Sequence, residues 1–439
     1  MPGSAQRQYL LRRLNFARAQ TDALFQLIRP EAMYERPIPE RHRLIFYLGH
    51  LDVFDWNMVG RFTFGLEPLD EELERLLAFG IDPVDGNLPT DQPSDWPRID
   101  EVRESNRRLR AGLDASLAGV NWSHPGRPYL DEGFILKVAI EHRLMHVETM
   151  GYLLQQMPRA QKRAQRLRLD TAARPFPERQ VQIPAGGATL GQRARGLEAF
   201  GWDNEFEEHT VEVPAFSIGA FPVTNGQFLE FVQSGAYNDR KFWSDADWEW
   251  KEKEGGRHPH FWVQRNGGFF WRAMFEEIPL PLSWPVYASQ AEAAAFARWK
   301  GKRLPSEAQW HRAAYGTPDG AERAYPWGDA PPTTERGNFD CARWDPTPVD
   351  AHPAGASAFG VHDLLGNGWE WTSTVFAPLP GFQSFPFYPG YSSDFFDGKH
   401  YVLKGGSAAT AAPLLRRTFR NWFQPHYPYV YATFRLVED

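Results

Sequence analysis

Residues 131–157 read DEGFILKVAIEHRLMHVETMGYLLQQM, and this stretch decides the character of the N-terminal part of the chain. Asp131 is a suitable N-cap for a helix that begins there. The residues that recur at helical spacing on one face are Ile135, Val138, His142, Met145, His146, Thr149 and Leu153. The stretch therefore predicts a helix whose inward face carries two histidines.

Three stretches before it show the same helical periodicity. The opening segment carries few helix breakers, and a second run, 39–64, begins with Pro-Glu, which suits a first helical turn. The third run, 99–120, has a stripe that Asn106 interrupts, made of Ile99, Val102, Leu109, Leu113, Leu117 and Val120. Four such helices predict an antiparallel four-helix bundle over residues 1–157, with long loops such as 80–97.

The sequence changes character after this bundle. Residues 158–178, PRAQKRAQRLRLDTAARPFPE, are basic and then rich in proline, which predicts a solvated linker. From 179 to 439, short β-like runs such as VQIPAGGATLG (181–191) alternate with Gly, Pro, Asp and Asn turns. Helices are predicted at 225–234, 289–300 and 306–315. The fold class is therefore α+β, a helical bundle followed by a mixed domain with little regular secondary structure.

Composition excludes several classes of protein. The 439 residues include 48 Lys+Arg against 55 Asp+Glu, so the net charge of −7 argues against nucleic acid as a partner. One cysteine, Cys341, excludes a disulfide framework and a cysteine zinc site. No apolar run reaches the ~20 residues that a membrane span needs. The N-terminus lacks the apolar stretch of a secretory signal, so we expect a cytoplasmic protein with no membrane association.

The two histidines of the 131–157 helix have the spacing of metal ligands. His142 and His146 are four residues apart, so both imidazoles project from one helical face, with Glu141 and Glu148 close by as outer partners. The alternative is a pair of core histidines hydrogen-bonded to neighbours. The best third ligand is His50, because the apolar helix LIFYLGHLDVFDWN (44–57) has little other reason to hold a polar ring.

Three neutral histidines without cysteine suit Zn²⁺ or Fe²⁺ and leave coordination positions open. His42 is a weaker candidate for the third ligand, since it lies in the charged segment ERHR and is expected to be exposed. Gly49, next to His50, would allow another helix to approach closely.

A bundle with one distant His and an HxxxHxE motif, followed by the segments below, resembles the nonheme iron sulfoxide synthases of ergothioneine and ovothiol biosynthesis, together with their selenoneine branch. The resemblance covers nearly the whole chain: a DinB-like bundle, then a domain like formylglycine-generating enzymes and C-type lectins. The matching segments are IPAGGATLG (183–191), FPVTNGQFLEFV (221–232), RLPSEAQWHRAA (303–314), YPWGD (325–329), GVHDLLGNGWEWT (360–372), YVLKGGS (401–407) and ATFRLVED (432–439). From the residues alone, these segments indicate Gly and Asn at tight turns and Trp in the core.

The resemblance implies a set of site residues. His50, His142 and His146 would bind Fe(II), with O₂ as co-substrate and Glu148 supporting them from behind. Tyr391, in GYSSDFFDG (390–398), stands where these enzymes hold a catalytic tyrosine that donates a proton or hydrogen bond. Asn421 and Trp422, in FRNW (419–422), resemble residues that hold the histidine-derived substrate, hercynine. Formylglycine-generating enzymes use two cysteines near the C-terminus, but residues 414–435 here contain none, so copper–cysteine chemistry is excluded.

The chain departs from the pattern of the resembling enzymes at two positions, and these departures indicate which donor substrate to expect. Met145 and Phe423 stand where many ergothioneine synthases have Gln and Asp, and we expect both residues to contact substrate. The segment RHRLIFYLGHLDVFDW (41–56) looks more like the selenoneine branch, whose donor is a selenosugar. Such a polyhydroxyl donor would favour aromatic platforms, for which the sequence offers the cluster Phe423, Tyr427, Tyr429 and Tyr431.

The sequence therefore predicts C–Se (or C–S) bond formation between a selenosugar (or thiol) and hercynine. Three rival functions stay open: the same reaction with cysteine or γ-glutamylcysteine, a zinc-dependent DinB-like thiol transferase, and a non-catalytic binding protein. Arg103, Arg107 and Arg110 lie on one side of the third predicted helix. In the resembling enzymes arginines of this helix bind the donor, but a solvated basic face is the preferred interpretation here.

Overall fold

The computed structural model describes residues 3–80, 88–119, 133–165, 169–171, 178–193 and 200–438. They form two compact units, one reaching to Gln165 and including Phe200, the other starting at 169. The helices described in the first unit are α1 (Gly3–Gln26), α2 (Leu44–Asp55), α3 (Glu71–Phe79), α4 (Ile99–Ala118) and α5 (Phe134–Gln156). A π-helical stretch, Trp56–Thr63, continues α2.

The second helix starts at Leu44, five residues later than the start at residue 39 that the Pro-Glu pair predicts. Residues 39–43 lie outside α2, and Arg43 has extended backbone angles at the helix start. Its guanidinium group donates to the Asp91 carboxylate (2.8 Å) and to the Tyr34 carbonyl (2.7 Å). These long-range bonds hold the segment outside the helix, and a local pattern cannot anticipate them. The Asp131 N-cap predicted for α5 lies outside the described residues.

One helix of this unit, α3, is absent from the sequence predictions. It has nine residues, and its N-cap is Asp70, whose carboxylate accepts from the Leu73 backbone N–H (3.0 Å). A helix this short is marginal alone and depends on tertiary packing. That packing is provided by α2, against which α3 lies.

The bundle core is formed where α1 packs on α5 and α2 packs on both α4 and α5. Four residues of the apolar stripe predicted for α4 are buried: Val102, Leu109, Leu113 and Leu117. Ile99 is half-buried, and Val120 lies outside the described residues. Asn106 is buried with them, and its Nδ2 donates to the Leu48 carbonyl of α2 (2.8 Å). The residue that interrupts the apolar pattern is therefore a cross-helix hydrogen-bond donor.

Part of the segment 158–178 packs on the helical unit. The Arg29 N–H donates to the Gln161 carbonyl (3.0 Å), and the Lys162 ammonium donates to the Leu154 carbonyl (2.8 Å). Lys162 is buried. Residues 166–168 and 172–177 of the predicted linker lie outside the described residues.

The second unit contains short strands and helices. Its described strands are β1 (Gln180–Ile183), β2 (Gly186–Leu190), β3 (His209–Val213), β4 (Phe216–Gly219), β5 (Trp262–Arg265), β6 (Gly268–Arg272), β7 (Glu277–Pro279), β8 (Trp369–Val375), β9 (Tyr401–Lys404), β10 (Asn421–Phe423), β11 (Ala432–Thr433) and β12 (Val437–Glu438). Its described helices are α6 (Asn225–Gln233), α7 (Asp245–Glu254), α8 (Gln290–Trp299), α9 (Glu307–Tyr315) and α10 (Gly390–Ser393).

Three of these helices were predicted, and local caps explain why. Thr224, Ser289 and Ser306 each form a capping box with the residue three positions later, at the starts of α6, α8 and α9. The sequence predictions missed α7. Its N-cap is Ser244, whose hydroxyl oxygen accepts from the Asp247 N–H.

The described strands form four small sheets, ordered β1-β4-β12, β10-β9-β8-β11, β2-β3 and β5-β6-β7. Three of the motif segments are joined by the buried carboxylate of Glu370, which belongs to one of them. Glu370 accepts from the Trp310 indole N–H (2.9 Å) and from the Arg435 guanidinium group, and all three side chains are fully buried. The α+β class, a helical bundle followed by a mixed domain, is confirmed.

None of the helices within the described ranges combines the length and apolar character needed to cross a bilayer.

Candidate functional site

The structure brings three predicted histidines together inside the helical unit. His50 extends from α2, and His142 and His146 extend from successive turns of α5. One ring nitrogen from each lies within 4.8 Å of the others. The ring of His50 lies 5.2 Å from that of His142 and 5.1 Å from that of His146, centre to centre. One ion could contact all three nitrogens after small side-chain adjustments.

The hydrogen bonds among the described residues do not satisfy every nitrogen of the three rings. His50 Nδ1 lies 3.0 Å from the Leu77 carbonyl, which leaves its Nε2 available. Nδ1 of His142 and Nδ1 of His146 are buried, and neither has a hydrogen-bond partner among the described residues. A buried ring nitrogen without a partner is costly, so these two rings are not fully satisfied core histidines. The donor set, three imidazoles, fits Fe²⁺ or Zn²⁺.

The protonation state of these rings favours metal binding. Burial lowers the pKa of His50 to about 4. Burial, followed by repulsion from the neighbouring histidines, lowers the pKa of His142 and of His146 well below 6.5. All three imidazoles are therefore neutral at physiological pH, and a neutral imidazole offers its lone pair to a metal.

Aromatic rings surround the histidines. Phe54 stacks on His142 with ring centres 3.5 Å apart, and Phe46 stacks on His50 at 4.6 Å. Burial raises the pKa of Tyr47, whose ring lies 5.8 Å from His146, to about 12. These rings give the site an apolar wall that lowers the local dielectric constant, while His50 and His146 are half-buried.

The other predicted residues of this unit have different positions. His42 is half-buried rather than exposed, and it packs on Phe46 with ring centres 4.3 Å apart, outside the described three-histidine group. Met145 is half-buried, and Glu141 and Glu148 are both buried on α5. The supporting role of Glu148 and the substrate contact of Met145 stay predictions.

Sequence reasoning missed a buried ion-pair network next to the histidines. Arg143, fully buried on α5, donates from Nε to Asp55 (2.7 Å) and from Nη2 to Asp52, both on α2. Burial alone would raise the pKa of Asp52, but the guanidinium groups of Arg143 and Arg110 outweigh it and lower that pKa. Two aspartates inside the apolar run LIFYLGHLDVFDWN (44–57) could have indicated this network from the sequence.

The basic face predicted on α4 is only partly solvated. Arg103 and Arg107 are exposed, as expected. Arg110 is not part of that face, because its guanidinium group forms bidentate ion pairs with Asp22 of α1 and Asp52 of α2, at 2.7 to 2.9 Å. Pairing with two carboxylates outweighs solvation because Asp52 is buried and needs compensation.

Two of the predicted residues of the second unit lie together. Tyr391, on α10, stacks on Trp202 at 4.1 Å between ring centres and meets Trp422 edge to face at 5.5 Å. Trp422 stacks in turn on Phe376 at 4.3 Å. The Asn421 side-chain oxygen accepts from the Trp422 N–H within β10 (2.9 Å), and its contact with substrate stays a prediction.

The aromatic platform predicted for a sugar exists only in part. Phe423 and Tyr427 stack with parallel rings at 5.4 Å, and Tyr429 meets Tyr427 edge to face at 5.1 Å. Tyr431 does not belong to it, because its side chain is buried and stacks on Tyr287 of the core. Tyr431 directly precedes β11, and its carbonyl accepts from the Trp369 N–H of β8 (2.9 Å), although its spacing continues that of Tyr427 and Tyr429.

Two protein families match separate parts of the chain. Residues 167–439 match the sulfatase-modifying factor enzyme 1-like domain, and residues 13–150 match the DinB superfamily.

Several named proteins are similar to the chain. The hercynine oxygenase of Mycobacterium tuberculosis is 42% identical over 240 residues, which are 54% of this chain and 56% of that protein. The hercynine oxygenase of Mycolicibacterium smegmatis is 37% identical over 327 residues, 71% of this chain and 73% of that protein. Ergothioneine biosynthesis protein 1 of Neurospora crassa is 28% identical in an alignment of 497 positions that covers 94% of this chain. The matches span 56% of the length of both the M. tuberculosis and N. crassa proteins.

Proposed function

We propose that the chain, which belongs to the hercynine oxygenase family, joins a chalcogen donor to the imidazole ring of hercynine in an O₂-dependent reaction. The observation that carries the proposal is the group His50, His142 and His146, whose nitrogens lie within 4.8 Å of one another. The relatives' names supply the substrate, and the three histidines supply a place for a redox metal.

His50, through Nε2, and the rings of His142 and His146 would hold Fe(II). Bound by three neutral ligands, such an ion keeps its charge and has open positions for a selenolate or thiolate and for O₂. The aromatic shell of Phe46 and Phe54 would keep bulk water from these positions. When one site holds both reactants, the bond-forming step takes place within a single complex. This proximity would supply much of the rate acceleration.

The overall reaction balances with O₂ alone as oxidant. The donor R–SeH loses its proton, hercynine loses the hydrogen on the carbon between its two ring nitrogens, and a C–Se bond forms between them. One oxygen atom of O₂ ends on selenium as a selenoxide, and the other leaves as water. The substrates together lose four electrons, the number that O₂ accepts. A thiol donor gives the sulfoxide by the same balance.

The second unit would contribute substrate recognition and a proton donor. Trp422 and its aromatic neighbours suit the quaternary ammonium group of hercynine, since a cation over an aromatic face gains about 0.5–2 kcal/mol. Tyr391 would supply the proton that the departing oxygen needs. Its stacking on Trp202, and the hydrogen bonds of the neighbouring Ser392 with Asp203 and Asn204, restrict where the phenol can point.

Selenium is the proposed donor atom, and sulfur is the second candidate. In support of a sugar selenol, Phe423 replaces the carboxylate that would bind a donor's amino group, and its ring stacks on Tyr427. In support of sulfur, the similar proteins include ergothioneine biosynthesis protein 1.

Competing donors would decide between them. Iron-loaded protein is supplied with hercynine and O₂ together with a selenosugar, cysteine or γ-glutamylcysteine, and the products are identified by mass spectrometry. We expect a selenium-containing hercynine adduct as the main product. If only the thiols react, selenium is ruled out as the donor, and if product forms equally well without O₂, a zinc-type thiol transfer replaces the oxygenase.

Replacing Tyr391 with Phe should slow turnover by about 10²- to 10⁴-fold, the usual contribution of a positioned proton donor. The KM for hercynine should change little, because the ring and its stacking on Trp202 are kept. Initial rates at varied hercynine concentration measure both quantities. Tyr388→Phe, a loss of hydroxyl on a ring 5.5 Å away, is the matched control and should retain the wild-type rate. Equal rates for the two variants would remove Tyr391 from the mechanism.

A further inference from the structure

The C-terminal end of α3 is docked unusually closely on α2. A methyl group added to Gly49 would lie 2.8 Å from Leu77 Cδ2 and 3.0 Å from Leu77 Cγ, closer than carbon atoms can approach. Leu77 is fully buried, so its side chain has little room to move aside. The helix approach predicted from Gly49 is confirmed, and the partner is the helix that sequence patterns missed.

This docking presents a backbone carbonyl to His50. The last carbonyls of a helix have no partner within the helix. At the end of α3, the Gly80 N–H donates to the Leu76 carbonyl (2.8 Å), while the Leu77 carbonyl lies 3.0 Å from His50 Nδ1. A carbonyl oxygen can only accept, so Nδ1 carries the proton and Nε2 carries the lone pair.

We propose that the last turn of α3 positions the first metal ligand: Leu77, held against Gly49, fixes the tautomer and ring orientation of His50. This inference rests on the proposed metal-binding role of the three histidines. An outer partner of this kind directs a ligand's lone pair and typically changes metal affinity when it is lost. Neither His142 nor His146 has such a partner at Nδ1 among the described residues, so His50 is the ligand whose direction is set before metal arrives.

The first test uses the wild-type, metal-free protein. Histidines labelled with ¹⁵N are observed by NMR at neutral pH, and the His50 signals are identified by their loss in His50→Gln. We expect neutral His50 with its proton on Nδ1. A ring protonated on Nε2 would overturn the inference, whatever metal the protein binds.

The second test measures the Fe(II) dissociation constant under anaerobic conditions. Gly49→Ala should weaken binding by about 10- to 100-fold, as expected for loss of an outer partner. Gly119→Ala, at the end of α4 with no described atom within 4 Å of the added methyl group, is the matched control and should bind like the wild type. In Gly49→Ala/Leu77→Ala the smaller side chain makes room for the methyl group, so most of the affinity should return.

The outcomes separate the inference from the proposed function. Wild-type affinity in Gly49→Ala, or a double variant as weak as Gly49→Ala, would overturn the positioning role of α3. If the wild-type protein itself binds no Fe(II), the proposed function fails. The NMR measurement then still shows whether His50 Nδ1 donates to the Leu77 carbonyl. If Gly49→Ala does not fold, the NMR measurement on the wild-type protein decides: a proton on His50 Nδ1 supports the inference, and a proton on Nε2 overturns it.

Discussion

Replacing His142 with Ala should abolish iron binding and, with it, turnover of hercynine. The ring centre of His142 lies 5.2 Å from that of His50 and 4.5 Å from that of His146. Losing an outer partner of a ligand already costs about 10- to 100-fold in metal affinity, and losing a ligand should cost more. Metal analysis after anaerobic loading with Fe(II), followed by a turnover assay on the same sample, measures both effects.

His42 is the matched control for this experiment. It lies in the same unit and packs on the same ring, Phe46, as His50 does, but it is outside the described three-histidine group. We expect His50→Ala to lose iron as His142→Ala does, and His42→Ala to retain it. Iron retained by His142→Ala, or lost by His42→Ala and kept by His50→Ala, would show that the ligand set is wrong. Circular dichroism establishes that each variant is folded.

Replacing Arg143 with Ala should destabilise the helical unit by about 3–5 kcal/mol, because removing one partner of a buried ion pair leaves an uncompensated charge. Here Asp55 would lose its guanidinium partner, Asp52 would keep only its pair with Arg110, and both carboxylates are buried. Urea unfolding of the metal-free protein, followed by far-ultraviolet circular dichroism, measures the change in the transition of the helical unit.

Arg107 is the matched control for Arg143. It forms an ion pair with Glu104 on the surface of α4, where its side chain is 74% exposed. Exposed pairs of this kind contribute about 0–1 kcal/mol, so Arg107→Ala should unfold close to the wild-type urea concentration. A similar decrease in the free energy of unfolding of both variants would mean that the buried Arg143 network adds no more stability than an exposed ion pair. The two units have separate cores, so the transitions are fitted separately.

Local features of the chain were readable from the sequence. The four-residue spacing of His142 and His146 places both rings on one helical face whatever surrounds the helix. The capping boxes at Thr224, Ser289 and Ser306 fix where α6, α8 and α9 begin, because their hydrogen bonds span only three residues. The motif tryptophans Trp310, Trp369 and Trp371 are in the core as predicted.

Features that depend on distant partners were not readable in this way. Arg43 holds the start of α2 through Asp91, and Arg110 leaves the predicted solvated face for Asp22 and Asp52. Tyr431 continues the spacing of the half-buried Tyr427 and Tyr429 but is buried and packs on Tyr287. In each case the deciding contact comes from a residue dozens of positions away, which no periodicity encodes.

The sequence by itself determined the helix that carries two ligands, the apolar helix that carries the third, and the presence of a glycine that permits close packing. Only the tertiary structure decided that His50 joins the pair, and that the carbonyl of Leu77, on a nine-residue helix, directs its ring. The physical reason is that helical periodicity is a local property, whereas the direction of an imidazole lone pair is set by whichever group the fold brings to its other nitrogen.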